Sequence, residues 1–409
     1  MARLSDTATG LIWTVALYLL LSLFYLISVL LVAPNRIAKS SSIFILLAAI
    51  GFRGAAWFVP PSLSDDVFRY RFEGQIQAHG LNPYQVRPAS PEGRQFEDEA
   101  WPRMVAKDFK AGYGPLIERL EAWTWLAVSR FSSNPFQQAR LFRIPSALFD
   151  LACLWLLWII ARERFIFYAW CPLTLIEFWS NGHNDSVAVF FLLLSIHLIK
   201  RPAAYLWLGF AVAAKWWPAA IGLALTGRDW RRIANWPLAA IPVLGFGWAY
   251  WSDVQENARF MTGFVGGWRN NDSLFGLLNA LFPTQNEAKY VAFALFAVTA
   301  LWIALRPWPV ERRVMYTLVA LLLISANLHV WYLTWLAALL PLVESRAVLA
   351  WVAGAPLFHA AMIEYHRTGV WNTHTPLRWL VYLSVFILLA WEVWISFRAS
   401  GEQTPRHSL

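Results

Sequence analysis

Residues 10–33 read GLIWTVALYLLLSLFYLISVLLVA, and this run decides the fold class. It holds no charged side chain and exceeds the roughly 20 residues needed to cross a hydrocarbon core about 30 Å thick. It is too long for the apolar core of a cleaved leader. Its end, Val32-Ala33-Pro34, lacks a small-x-small cleavage pattern, so the run reads as a retained anchor. Comparable runs follow near 41–59, 139–161, 165–180, 184–199, 203–226, 233–251, 288–306, 314–328, 330–343, 347–363 and 377–397. The expectation is an all-α, polytopic integral membrane protein with about 11–13 transmembrane helices. It forms a single domain over residues 1–409, with a long first loop at 60–138. A transmembrane barrel would instead alternate over short segments.

Composition agrees. The chain is 58% hydrophobic and 14% charged, with a mean hydropathy of +0.44. A soluble domain carries about 25% charged residues. The net charge of +9 does not indicate nucleic acid, because the basic residues sit in short loops between apolar runs, where they set orientation. Cys153 and Cys171 both lie inside apolar runs and suggest no disulfide framework.

The short basic loops are Arg36/Lys39, Arg162/Arg164, Lys200/Arg201, Arg228/Arg231/Arg232 and Arg306/Arg312/Arg313, with Arg398 and Arg406 in the tail. All belong on the cytoplasmic side. Run 203–226 then starts and ends on one side. Lys215-Trp216-Trp217-Pro218 interrupts it, and Pro218 disfavours a straight helix. Two half-length helices with Lys215 at the far face satisfy both constraints, and such broken helices are tolerated where they line a cavity.

That far face collects the polar chemistry. It receives the 60–138 loop, Asn181-Gly182-His183-Asn184-Asp185, Lys215, the 252–273 loop with Trp268-Arg269-Asn270-Asn271-Asp272, His329-Val330-Trp331-Tyr332, and Glu364-Tyr365-His366-Arg367. Convergence of polar residues from distant spans marks an active site. No internal repeat stands out, which gives an inverted-repeat transporter no support.

The centre of this face is Ser64-Asp65-Asp66, where the chain leaves the second run. Arg69, Tyr70 and Glu73 follow at helical spacing, so one helix face carries Asp66, Arg69/Tyr70 and Glu73. Gly80-Leu81-Asn82-Pro83-Tyr84 turns the chain at its end. Acidic pairs commonly cap helices, but a pair at the membrane exit with these neighbours reads as functional. Lys215 in a broken apolar segment either meets a partner or snorkels to the interface. Arg269 lies in a polar run that reads first as an exposed loop. His329 fits either an interface histidine or a phosphate contact. Asn184 and Asp185 head a helix that they should cap, with contact to sugar as the sharper reading. Trp268 and Trp331 are the aromatics expected to stack on sugar. Glu97-Asp98-Glu99 reads as solvated surface. Glu118, Arg119 and Trp123 read as part of an amphipathic helix on the membrane plane.

The stretch Asp65-Asp66-x-x-Arg69-Tyr70-x-x-Glu73-Gly74, followed by Gly80-x-Asn82-Pro83-Tyr84, resembles the first periplasmic loop of GT-C membrane glycosyltransferases. It looks most like that of bacterial polyprenyl-phosphate-mannose-dependent mannosyltransferases. Tyr113-Gly114-Pro115-Leu116 is similar to the family's Tyr-Pro-Pro-Leu, with Gly114 in place of the first proline. Gly182-His183-Asn184-Asp185, Lys215 with Pro218, and Trp331-Tyr332 match in order. The resemblance implies transfer of a hexose, mannose in that family, from a polyprenyl phosphate to an acceptor hydroxyl of a glycolipid or polysaccharide. It implies a multi-pass protein of the bacterial inner membrane, with the site on the periplasmic face.

The residues agree with that chemistry. A phosphate leaves as an anion and needs no general acid, so one carboxylate suffices as general base. Asp66 is preferred over Asp65 for this role, and a single displacement inverts the anomeric centre. Arg69, Tyr70, Glu73, Asn82, Tyr84, His183, Asn184, Asp185, Lys215, Trp268, Arg269, His329, Trp331 and Tyr332 are the expected substrate contacts. No cofactor and no metal are expected: the second acid could orient Arg69 or the acceptor or bind a divalent cation, but two carboxylates alone do not make a dedicated metal site. The partners are the lipid-linked donor, the acceptor and the bilayer, not nucleic acid. The alternatives are a transporter or flippase of lipid-linked glycans, which would hold its acids at the midplane of the bilayer, and a ligase or polymerase using a pyrophosphate-linked donor.

Topology tests the orientation directly. Reporter fusions at Glu97 and Arg269 are expected to register outside the cytoplasm, and fusions at Arg162 or Arg164 inside it. A cytoplasmic signal at Glu97 would overturn the assignment of faces.

Overall fold

The computed structural model describes residues 7–32, 37–253, 268–372 and 376–402. Arg36, Arg406 and most of the 252–273 loop lie outside the described residues. The described residues are mostly helical and hold no strand beyond an isolated pairing of Asn270 with Asn327. Six helices among them are long and apolar enough to cross a membrane: Ala8–Val32, Lys39–Phe58, Pro135–Ile160, Gln285–Ala304, Arg346–Thr368 and Leu377–Ile395. Three shorter apolar helices span Asp185–His197, Ala203–Ala214 and Trp217–Thr226. The chain is an all-α, multi-pass membrane protein.

The first helix, α1 (Ala8–Val32), shows how such a span partitions. Its 25 residues rise about 37 Å at 1.5 Å each. Tyr18, Tyr25 and Val29 face the bundle, while Leu17, Leu21, Phe24 and Leu31 stay exposed, as a lipid-facing stripe should. The helix α2 (Lys39–Phe58) carries the chain to the acid pair, and α3 (Asp66–Ala78) begins there. Beyond it, α4 (Pro115–Val128) crosses α3 closely. At Gly74 a β-carbon would stand 2.4 Å from the Glu121 carbonyl oxygen, so the crossing needs glycine. Val67, Phe68, Tyr70, Phe72 and Ile76 of α3 build a second core with Trp101, Trp125 and Phe142, separate from the large core of the bundle.

Two expectations for this loop are corrected. Glu97 and Glu99 are exposed, but Asp98 pairs with the buried Arg71 at 2.6 Å. Glu118 is fully buried rather than on a solvated face, because α4 is sandwiched between α3 and the bundle. Trp123 alone of that group remains half exposed.

The helix α5 (Ile144–Ile160) meets α2 through an ion pair inside the apolar region. Arg53 Nε donates to Asp150 Oδ2 at 2.6 Å, and both side chains are wholly buried. Tyr168 Oη and Trp179 Nε1 also donate to Asp150, at 2.6 and 2.7 Å. Arg53 Nη1 donates to the Ala169 carbonyl at 2.8 Å. A charge within a span persists only when it is paired this fully.

Apolar run 165–180 is not one helix. Pro172 lacks an amide hydrogen, so Ile166–Ala169 ends and a new turn starts at the proline. It continues into a π-helical turn, Leu175–Ser180, a geometry often found at functional sites. The helices α6 (Asp185–His197) and α7 (Ala203–Ala214) follow. Run 203–226 breaks as its sequence requires. Lys215 is extended (φ −142°, ψ 145°), a 3-10 turn runs Trp217–Ile221 with Pro218 in its first turn, and helix resumes over Gly222–Thr226.

Asp150 carries the prediction here. Asp150→Asn leaves Arg53 buried without its counter-charge, which costs about 3–5 kcal/mol. Unfolding of the purified protein in detergent should show that loss. An unchanged midpoint would mean the pair contributes nothing to stability.

Candidate active site

Two chain segments meet where α2 leaves the apolar region. One runs from Pro60 to Asp66, the other from Ser180 to Asp185. Ser180 Oγ donates to the Pro60 carbonyl at 3.0 Å, and Leu63 N donates to Asn181 Oδ1 at 3.3 Å. Gly182 takes a left-handed conformation (φ +80°), with Arg143 Cγ 2.6 Å from where a β-carbon would be. Only glycine both turns the chain and clears this side chain. Ser146 Oγ donates to the His183 carbonyl and fixes the loop from below.

The result brings Asp66 to His183. Asp66 Oδ2 lies 3.6 Å from His183 Nδ1. Tyr70 Oη lies 3.4 Å from the same nitrogen and accepts from Tyr113 Oη at 3.3 Å. On the other side of the ring, His183 Nε2 is 3.3 Å from Glu177 Oε2, and His359 Nε2 is 4.0 Å from Glu177 Oε1. Asp65 stands apart, with its Oδ1 3.3 Å from Arg103 Nη2. Neither acid caps α3 with its side chain. Burial pushes the Asp66 carboxyl up to about 6, aided by Asp65, Asp185 and Glu73 and opposed by Lys215. Burial, then the positive charge of Lys215, holds His183 well below the usual histidine value, so the ring is neutral.

Lys215 does not snorkel. Its ammonium is buried, 3.2 Å from Asp185 Oδ2 and 4.1 Å from the centre of the Tyr113 ring. Asp185 Oδ1 also accepts from Trp335 Nε1 at 2.8 Å. The capping expected of Asn184 and Asp185 is corrected: neither side chain caps α6, because Asp185 is turned to Lys215 instead. Gly114 explains its own place in the sequence. A β-carbon there would sit 2.2 Å from the Ala213 carbonyl oxygen, and Gly114 N donates to the Ala214 carbonyl at 3.1 Å. Residues 113–115 thus lie directly on the break at Lys215.

Trp331 lies between two imidazoles, His183 at 3.9 Å and His329 at 4.3 Å, with interplanar angles of 19° and 13°. Both faces are covered, so the flat stacking on sugar expected of it is not open in this arrangement. Tyr332 stacks on Trp335 at 4.5 Å, and Trp335 on Trp217 at 4.1 Å. His329 Nδ1 lies 2.9 Å from Asn270 Nδ2. Asn270, Asn271 and Asp272 are buried rather than an exposed loop, and Asp272 pairs with Arg269 at 2.6 Å and Arg378 at 3.1 Å. Trp268 is partly exposed and packs edge-on against Phe109.

The remaining expected contacts are engaged with the protein itself. Arg69 donates to Glu73 Oε1 at 2.6 Å and to the carbonyls of Ala106 and Phe109, both at 2.8 Å. Asn82 Oδ1 accepts from Tyr84 N at 2.9 Å, and Tyr84 Oη donates to the Tyr113 carbonyl at 2.8 Å. Sequence reasoning did not single out Glu177, Trp335 or His359. Glu177 had a signal, an acid inside an apolar run.

These are the features of a membrane enzyme whose charged groups gather at the end of a helical bundle. Over residues 2–232 the chain matches the family described as alpha-(1->6)-mannopyranosyltransferase, N-terminal domain. That match covers more than half of the sequence, and the chain belongs to this family of glycosyltransferases. No curated protein matches it.

Gly114→Ala tests the contact beneath Lys215. The added methyl must displace backbone, and such overpacking costs typically about 1–3 kcal/mol. A lower unfolding midpoint in detergent is expected, and an unchanged one would show that the break tolerates a side chain.

Proposed function

We propose that the protein transfers a mannosyl residue from a polyprenyl-phosphate donor to a hydroxyl of a glycolipid or polysaccharide acceptor. Transfer takes place at the periplasmic face of a bacterial inner membrane, in one step with inversion. The α-(1→6) linkage in the family's description then requires a β-linked donor.

Asp66 carries this reading. Its side chain is 18% exposed, at the end of the bundle, against a neutral histidine. An acceptor oxygen attacks the anomeric carbon, the bond to the phosphate oxygen breaks, and the phosphate leaves with its electron pair. The hydroxyl proton passes to the Asp66 carboxylate. A base with a pKa near 6 is mostly ionised at neutral pH and still strong enough to accept it. His183 orients the carboxylate; being neutral and hard to protonate, it does not retain the proton, which returns to solvent along the exposed edge of Asp66. Lys215 supplies positive charge toward the donor phosphate, with Asp185 as its counter-ion in the resting site. Family membership favours this enzyme over a transporter, and so does an acid pair at the end of the bundle rather than at its middle.

Asp66→Asn keeps the shape and removes the proton acceptor. Transfer from purified polyprenyl-phosphate mannose should fall roughly 10²–10⁴-fold, and Asp65→Asn should fall less. The parent rate should drop as the pH falls through about 6, where Asp66 becomes protonated. The residual rate of Asp66→Asn should be flat over that interval. A folded Asp66→Asn protein working at the parent rate would reject Asp66 as the base.

A further inference from the structure

Three carboxyl groups that the transfer reaction does not use meet where α3 crosses α4. Glu73 comes from α3, and Glu118 and Glu121 come from α4. They are 1%, 0% and 5% exposed. An oxygen of each lies within 4.8 Å of the other two. The close approach at Gly74 brings the two helices near enough for this.

The group has few donors. Arg69 Nε reaches Glu73 Oε1 at 2.6 Å, and Gln77 Nε2 reaches Glu118 Oε2 at 3.2 Å. Glu73 Oε2, Glu118 Oε1 and both oxygens of Glu121 are buried with no hydrogen-bond donor. Asp150, by contrast, draws donors from Arg53, Tyr168 and Trp179. Ionising the three together calls for more positive charge than Arg69, in contact with Glu73, and Lys215, acting across space, supply, since an ionised group taken out of water needs a counter-charge.

A second observation lies at Glu121 itself. It borders a cavity of about 20 Å³, shared with Tyr70, Thr124, Ser146 and Asn184. A space of about 10–15 Å³ is enough for one water. Asn184 is 7% exposed, and neither its amide oxygen nor its nitrogen has a partner. An unpartnered amide and an unpartnered carboxylate thus line the same water-sized cavity.

We propose that Glu73, Glu118 and Glu121 bind a hard divalent cation, with a water ligand in the cavity between Glu121 and Asn184. The donors are all oxygen, which suits Mg²⁺ or Ca²⁺. Among the described residues the group includes no nitrogen or sulfur donor to favour a softer metal. The cation joins α3 to α4 and so fixes the helix that begins at Asp66. Its role is positioning, and the site is separate from the acid pair.

The test uses the full chain in detergent after chelator treatment. Mn²⁺ serves as the probe, followed by its electron paramagnetic resonance, with Mg²⁺ and Ca²⁺ as competitors. One saturable Mn²⁺ site is expected, and the stronger competitor identifies the cation. The unfolding midpoint should rise on adding that cation. Glu121→Gln should weaken Mn²⁺ binding at least about tenfold, an expectation set by the loss of one of three carboxylate ligands, and should abolish the midpoint response. Asp66→Asn should bind Mn²⁺ as the parent does. Absence of saturable Mn²⁺ binding in the parent would overturn the proposal, as would equal affinity in Glu121→Gln. Loss in Asp66→Asn with retention in Glu121→Gln would move the site to the acid pair. The parent titration decides by itself if Glu121→Gln fails to accumulate, and Glu118→Gln then replaces it.

Discussion

Arg143 holds the site together. Its guanidinium donates to the carbonyls of Trp57 and Val59 at the end of α2, and to those of Trp179 and Ser180 at the end of the π turn. Its Nε donates to the Arg140 carbonyl at 3.1 Å, in its own segment. The first two carbonyls lead to the acid pair, and the second two lead to His183. Hydrogen bonds from a charged donor contribute about 1.5–3 kcal/mol each. A guanidinium presents five donors in a fixed fork, which an ammonium cannot match. The 3.6 Å approach of Asp66 to His183 thus depends on a residue that touches neither side chain.

The same economy of charge runs through the bundle. Arg53 is matched by Asp150 and Lys215 by Asp185, each pair with further hydrogen bonds around it. Pairing of this kind lets a charge sit in an apolar surround without melting the helix that carries it. Asp66 is treated differently. Among the described residues it has no cation in contact, only a neutral ring and an open edge, and burial raises its affinity for a proton. Asp66 thus differs from the ion-paired acids Asp150 and Asp185, and that difference is what the proposed role as a base draws on.

Much of this was legible in the sequence, and the reason differs by residue. Length and hydropathy give the spans, because a bilayer imposes both. Pro218 beside Lys215 gives the broken helix, because proline cannot donate to the turn before it. The acid pair is legible from its place at the end of a run. Arg53, Arg143, Asp150 and Glu177 are charges within or beside apolar runs, and the sequence reading passed over all four, although a charge in such a place demands a partner. The partner was not visible, since pairing joins residues 97 apart in the case of Arg53 and Asp150. Trp331 shows the opposite limit. Its sequence neighbourhood suggests a free aromatic face, yet His183 and His329 cover both sides. Burial of Glu118 escaped a reading based on helical faces because α4 has two buried sides, one toward α3 and one toward the bundle.

The helix α3 links these observations. Its first residue, Asp66, meets His183; one turn later Tyr70 meets His183 and Tyr113; and Glu73 at the next position on the adjoining stripe meets Glu118 and Glu121. Residues four apart lie on one face of a helix, and residues three apart lie beside it. A small rotation of α3 would therefore move the carboxylate, the tyrosine and the glutamate together. Three constraints oppose that rotation: the Gly74 crossing, the Arg69 bonds to the 106–109 loop, and the Arg143 clamp on the segment entering the helix. A base that must stay within hydrogen-bond reach of a bound hydroxyl gains more from such restraint than from any single contact, because misplacement by about 1 Å can cost about a hundredfold in rate. On the proposed mechanism, the rigid seating of α3 therefore serves the chemistry as well as the fold.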